Sequence, residues 1–503
     1  MTTGIAEKKV VYLPLDERPC NYSFVGFLSE KNANYKLIRP TMDEMGDIKT
    51  PANYEKIKNF LLRECKTADY LVIAIDTLLY GGIIPSRLHF LSKEILRERL
   101  GVLKQIREEN PNLVVYAFSL VMRCPCYTDS SEEPDYYGIC GFEIFQYGQN
   151  EHKFRDGKIT KEEYEQEKTR LAVVEPYLDD FLTRRKCNVE ILIEALDLIG
   201  SAIDEFVILQ DDSNPCGFTA MDQGQVREFI QKRQLKVDVY PGADEGGMSL
   251  LSRVVTHMER YKPTICPVYP KEECKYIIPL FEDREVYKSI EAQIKSAGGI
   301  VSYDEETADI LLYCNLPLEN THNIDNLGGK GYDDRDLPAF LAKMKKAMAD
   351  GKAVALADIA YCNGGDVAFT KAVSEEIGLL NLWGYAGWNT SSNALGTVIC
   401  QAVLRHFYDD TPTHRRFTAE RVFEDLGYCA YVRKQIWDNE VTQMGYSYED
   451  TKVQQGAVSE RVEELLDWFM NENYPEITRL YKIEKCYMPW RRMFEIGLIV
   501  KEK

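Results

Sequence analysis

Short apolar runs separated by amphipathic stretches constrain this chain more than any other feature. KVVYLPL (9–15), YKLIRP (35–40), YLVIAID (70–76), NLVVYAFSL (112–120), EFVILQ (205–210), KVDVYP (236–241) and TICPVYP (264–270) each have the length and apolar continuity of a buried strand. Between them, 53–65, 92–108, 219–232 and 247–260 carry helical patterns. Strands that alternate with helices form parallel sheets, because a parallel pair needs a long crossover. The expected class is α/β: parallel β/α units, either barrel-like or open and doubly wound, since both arrangements share one linear pattern.

After about residue 271 the rhythm restarts with KYIIPL, a helix near 285–297, GIVSY, ADILLYCN, a helix near 336–350, AVALADIA and LWGYAGWN. The expected organisation is an N-terminal β/α domain over 1–270, a second α/β unit over 271–405 and a helical C-terminal region over 406–503. An insertion at about 127–200, rich in Tyr and charge and helical in pattern, interrupts the first domain as a lid or oligomer contact. With 503 residues, 45% of them hydrophobic, the chain can bury a large core.

The 80 Asp and Glu outnumber 61 Lys and Arg, for a net charge of −19, which argues against nucleic acid and anionic membranes as partners. Fourteen cysteines are scattered without a C-x-x-C, so they read as reduced thiols. No 18-residue apolar run occurs, and the first residues lack the charged and apolar regions of a signal peptide, so cytoplasmic residence is expected. Oligomeric state is not readable from these features. Nucleotide, zinc-protease and α/β-hydrolase signatures (GxGxxG, G-x-x-x-x-G-K-[ST], H-E-x-x-H, G-x-S-x-G) are absent. The six histidines avoid the glycine-rich acidic loops, so no His-rich metal centre and no organic cofactor are expected.

In parallel α/β sheets, ligands gather at the carboxyl ends of the strands, and that is where the polar motifs fall. PLDERPCN supplies Asp16, Arg18 and Asn21; IDTLLYGGIIPSR supplies Asp76 and Arg87; VMRCPCY supplies Arg123. LQDDSNPCG supplies Asp211 and Asp212, and YPGADEGG supplies Asp244 and Glu245. Further along, DIAYCNGGD offers Asp358, Asn363 and Asp366, while GYAGWNTSSNALGT offers Trp388, Asn389 and Asn393, an aromatic face with amide donors suited to a sugar. Carboxylates at one mouth serve acid/base chemistry, oxygen-ligand metal binding or the gripping of sugar hydroxyls. Adjacent Asp211 and Asp212 can divide labour, one as proton donor and one as orienting group, with Asp244 and Glu245 as a second pair. Both pairs equally fit a helix cap or an Asx turn, and Asp16 with Arg18 fits a loop-holding ion pair.

Taken as a set, PLDERPCN, IDTLLYGGIIPSR, DDSNPCG, YPGADEGG, YAGWNTSSNALGT and PWRRMFEI resemble the bacterial family of uncharacterised proteins DUF4127 over nearly the whole chain. That family implies membership without a reaction. A second, local resemblance is to retaining β-N-acetylhexosaminidases of the O-GlcNAcase kind: Asp211-Asp212 are similar to their paired aspartates at a strand end, and Trp388-Asn389 to a Trp-Asn element that holds the sugar.

The expected function is a sugar-processing, glycosidase-like hydrolase acting on a small-molecule or carbohydrate substrate. Asp211, Asp212, Asp244 and Glu245 would be catalytic, and Asp16, Arg18, Asn21, Asp76, Arg87, Arg123, Trp388, Asn389 and Asn393 would bind substrate. The alternatives are a divalent-metal-dependent hydrolase or lyase built on the same carboxylates, or a non-catalytic carbohydrate or small-molecule binding protein.

Overall fold

Strands at 8–13, 70–74, 114–121 and 205–210 form where consecutive residues are apolar, so that both faces of each strand can be covered. A computed structural model describes residues 7–328 and 331–503. The chain divides into two units: unit 1 holds the chain up to Glu17 with Ala33–Gly247 and Phe281–Asp283, and unit 2 holds Arg18–Asn32, Met248–Leu280 and Arg284–Lys503.

Unit 1 contains β1 (Lys8–Leu13), β2 (Tyr35–Ile38), β3 (Tyr70–Ala74), β4 (Val114–Val121), β5 (Glu205–Gln210) and β6 (Asp238–Pro241), all parallel, in the order β2-β1-β3-β4-β5-β6. The sheet is open, with β2 and β6 at its edges. Register is carried by pairs such as Leu13 with Ile73, Ala74 with Phe118 and Val121 with Gln210, so the carboxyl ends of the strands line up along one rim. Only Tyr35 of β2 is fully buried, contrary to the expected burial of the whole run, because an edge strand has a single neighbour.

The insertion is helical as its pattern predicts, with helices Tyr137–Arg155, Lys161–Arg170 and Glu175–Leu196. Thr160 opens the middle helix through a capping box with Glu163. Met122 and Cys124, just past β4, pack in one apolar cluster with Tyr137, Ile144, Phe181 and Phe218. Burial of such side chains contributes about 1.5–3 kcal/mol each, which anchors the insertion to the β4 rim.

Unit 2 contains β7 (Thr264–Val268), β8 (Ile300–Val301), β9 (Ile310–Asn315), β11 (Ala353–Asp358) and β13 (Gly384–Ala386) in the parallel order β13-β11-β9-β7-β8. A short parallel pair joins β10 (His322–Asn323) to β12 (Tyr361–Cys362), and an antiparallel pair joins β14 (Tyr481–Tyr487) to β15 (Gly497–Glu502). The run at 264–270, read from the sequence as the last strand of the first array, is hydrogen-bonded into this second sheet instead. Linear rhythm does not encode sheet membership. KYIIPL forms no strand; Glu272–Tyr276 make a short 3-10 turn.

Helix Ser391–Phe407 is buried from Ser391 to Arg405, as a helix apolar on most faces requires. Helix Pro19–Ser29 also belongs to this unit, with Phe24 packed edge-on against Trp388 and Phe417 at 5.7 and 5.6 Å. Helix Thr411–Arg421 continues into an eleven-residue π-helical segment, Val422–Val432, and then into Arg433–Asn439. Among the described residues no helix is long and apolar enough to cross a membrane.

Candidate functional site

At the rim of unit 1, two buried arginines gather four carboxylates. Arg87, from the short helix after β3, donates to Glu132 at 3.0 Å, Glu133 at 3.1 Å and Asp211 at 2.6 Å. Arg123, just past β4, donates to Glu133 at 2.8 Å, Asp212 at 2.9 Å and Glu132 at 2.8 Å. The planar guanidinium fork allows this, since its five N–H groups can serve several carboxylates at once. Glu132 and Glu133 therefore bridge both arginines, while Asp211 and Asp212, at the end of β5, take one each.

The local chain explains the placement. Gly81 (φ +92°) and Gly82 (φ +139°) break the path after β3, and a side chain at Gly81 would collide with the backbone at Ala52, so the turn carrying Arg87 needs glycine there. Asp212 itself has φ +35°, a left-handed conformation that turns two consecutive carboxylates toward different arginines. The long insertion helix holds both guanidinium loops. Arg185 donates to the carbonyls of Arg123 at 2.7 Å and Met122 at 2.8 Å while pairing with Asp222, and Asn188 donates to the carbonyl of Ser86 at 2.8 Å.

Asp76 stands beside this cluster, accepting from the Ser119 hydroxyl at 2.8 Å and the Leu120 amide at 3.1 Å. A cavity of about 10 Å³, the size of one water molecule, is lined by Asp76, Tyr80, Ser86, Arg87, Ser119 and Asp211 among others. Burial pushes Asp76 up to about 6 despite the two hydrogen bonds. Burial likewise raises Asp212 to about 6, with Arg123 pulling it down and neighbouring Asp211 pushing it up. Two carboxyls that exchange protons near pH 6 next to an arginine-paired third have the endowment needed for acid/base chemistry.

The remaining expected residues lie in different surroundings. In unit 1, Asp16 is buried in the loop after β1, and Asp244 and Glu245 are buried in the loop after β6, where Glu245 accepts from the Ala243 amide at 3.0 Å. In unit 2, Arg18 precedes its helix and lies over the Trp490 ring at 4.4 Å, and Asn21 is wholly buried. Trp388 is buried with its indole N–H donating to Thr397 at 3.2 Å. The carbonyl of Asn389 (φ +52°) accepts from the Asn363 amide at 2.7 Å, and the Asn393 amide donates to Thr390, the helix cap, at 3.4 Å.

Glu132, Glu133 and Tyr127 were missed by the sequence reading. They lie in YTDSSEEPDYYG, a stretch whose composition reads as solvated surface. The available signal was the proline after Glu133, which restrains an acidic pair close in sequence to Arg123. Tyr127 is 40% exposed and its ring lies 5.9 Å from the Arg123 guanidinium, so an aromatic face borders the cluster.

A second rim cluster occupies unit 2. Asp358, at the end of β11, accepts from Asn315 at 2.8 Å, from the Asp366 amide at 2.8 Å and from the Tyr385 hydroxyl at 3.2 Å. Arg335 pairs with Asp366 at 3.0 Å and donates to Asn315 at 2.8 Å. From the π-helical segment, Asp425 accepts from the Gly387 amide at 2.7 Å and from Arg421 at 3.1 Å, and Arg421 also pairs with Glu424. Burial raises Asp358 and Asp425 well above the usual carboxylate range. No group of three or more His, Cys, Asp or Glu among the described residues is disposed to hold a metal ion.

A search of curated proteins finds no match. Among solved structures, the carboxyl transferase domain of Rhizobium etli pyruvate carboxylase with 3-bromopyruvate aligns over 95% of this chain and 62% of its own, at 10% identity and a TM-score of 0.18, too low a similarity to carry an argument. The family comparison is decisive: residues 10–499 match the model described as "Protein of unknown function (DUF4127)", and the chain belongs to that family.

Proposed function

We propose that unit 1 carries a carboxylate acid/base hydrolase of the glycosidase type. The observation that supports it is the division between Asp211 and Asp212: consecutive residues at one strand end, held by different arginines, with Asp212 raised to about 6. In this reading Asp212 delivers a proton to the leaving oxygen, and Asp211, fixed by Arg87, orients the reacting group. Asp76, also raised to about 6, assists from beside the cavity. Exposed Tyr127 offers a stacking face for a sugar ring.

The test is a screen of the purified protein against chromogenic glycosides, with and without EDTA. Chelator-resistant release that disappears in Asp212→Asn supports the reading. Retention of more than about a tenth of turnover in that variant removes Asp212 from the chemistry, since general acid catalysis contributes about 10²–10⁴-fold.

A further inference from the structure

Away from the rim cluster, unit 1 has an open groove of about 710 Å³ between the first half of the long insertion helix and residues 89–93. It shares none of its lining with the water-sized cavity beside Asp76. Its lining is exposed or half-buried except for Arg184, which is 4% exposed. Arg184 Nε donates to the His89 carbonyl at 2.9 Å and Nη2 to Asp180 at 2.6 Å, but Nη1 has no hydrogen-bond partner among the described residues. A guanidinium nitrogen without an acceptor is costly, and the two bonds already made hold the group where it is. Asp180 is committed, since its other oxygen accepts from the Tyr136 hydroxyl at 2.7 Å. An apolar surface lies against the same guanidinium: the centre of the Phe90 ring is 4.9 Å away, and Phe90 is 87% exposed. Leu91 and Pro176 extend that surface along the groove.

We propose that this groove binds a small carboxylate carried on an apolar body, the carboxylate accepting from Arg184 Nη1 and the body lying on Phe90. The proposal is independent of the chemistry at the rim. A carboxylate supplies the missing acceptor as a charge-assisted bond, stronger than the bond a neutral carbonyl would make. Lys186, on the lining and without an ion pair among the described residues, adds attraction for an anion, whereas Lys93 is taken by Glu190. Asp179 opposes it weakly, because it is exposed and therefore screened by water and salt. The apolar body removes the Phe90 ring from water, which acetate or inorganic phosphate is too small or too polar to do.

The experiment is calorimetric titration of the full chain with 3-phenylpropionate and hexanoate, their neutral amides, acetate and inorganic phosphate, repeated on Phe90→Ala and Arg184→Lys. The expected result is that 3-phenylpropionate or hexanoate binds at least about tenfold more tightly than its amide and than acetate or phosphate, a difference of about 1.4 kcal/mol. Phe90→Ala should weaken that binding at least about fivefold by removing the apolar contact, and Arg184→Lys should abolish the preference for carboxylate over amide. No saturable binding of either apolar carboxylate, equal affinity for acid and amide, or phosphate or acetate binding as tightly as the apolar acids overturns the proposal. Binding that survives Phe90→Ala unchanged places the ligand elsewhere and overturns it equally. Phe90 is exposed enough for its variant to fold, so that comparison stands even if Arg184→Lys does not fold.

Discussion

The rim clusters of the two units place buried carboxylates beyond the ends of parallel strands, and they are finished differently. In unit 2 both oxygens of Asp358 and both of Asp425 accept hydrogen bonds, from amides, a phenol and a guanidinium. In unit 1 the side chain of Asp212 is still 20% exposed, and an oxygen of Glu133 has no hydrogen-bond partner among the described residues. A network whose acceptors are satisfied from within holds loops in place; one that leaves an acceptor over is poised for something from outside. Burial and a raised proton affinity are common to both clusters and so do not separate a site from a brace.

The contrast is open to direct attack. Its largest expected consequence is for turnover: Asp212→Asn should lower kcat on a responsive glycoside by about 10²–10⁴-fold with the melting temperature nearly unchanged, and a melting point that collapses with activity would make the unit 1 cluster a brace too. Conversely, Asp425→Ala, which strands Arg421 without one of its partners, should cost about 3–5 kcal/mol in urea unfolding, the usual penalty for breaking a buried pair. A loss under about 1 kcal/mol would mean that the unit 2 network is not structural.

Two pH responses sharpen the distinction. If Asp212 works as the acid, its protonated form is needed, so turnover should decline as pH rises through about 6, by tenfold per unit well above it; a profile flat from pH 5 to 8 would exclude that role. The smallest effect concerns stability. Asp358 in unit 2 binds its proton more tightly folded than unfolded, so the folded state holds extra protons once the unfolded carboxyl has ionised. Glu420, pushed up to about 8 by burial, acts in the same direction. Stability should therefore be greatest at low pH with respect to these groups and decline as pH climbs from about 4 toward 8, since it falls wherever the folded state binds more protons. Asp358→Asn should flatten part of that slope, which a series of melting curves would show.

Much of this architecture was legible in the sequence. The helices expected at 53–65, 92–108 and 219–232 are present as Tyr54–Glu64, Lys93–Glu109 and Phe218–Arg233, because periodicity and capping residues are local signals. Asp76, Arg87, Arg123, Asp211 and Asp212 were singled out because strand ends can be read from the apolar runs, and these residues do meet. Glu132 and Glu133 were not: Arg123 lies only 9 and 10 residues upstream, but their other shared partner, Arg87, lies 45 and 46 residues upstream, and nothing in a charged insertion marks which acids turn inward. Sheet membership of residues 264–268 was equally hidden: pairing depends on which crossover the chain takes, and the residues of the strand do not record it. The reading of Trp388 as a sugar platform used its chemical type alone, whereas the ring packs against Phe24, from a distant part of the chain, and its indole N–H is taken up by Thr397 on the helix that follows.

Helix Pro19–Ser29 has a consequence for how the protein is made. It leaves the ribosome well ahead of the residues it packs on within unit 2, Trp388 and Phe417, with Arg421 3.8 Å above the Phe24 ring. At about 5–20 residues per second, roughly 20 to 80 s of synthesis separates the helix from those partners. For that interval its apolar face must be shielded by something other than its native neighbours, so chains truncated before residue 388 should be sticky at this helix, and a nascent chain stalled there should be a ready client for a chaperone.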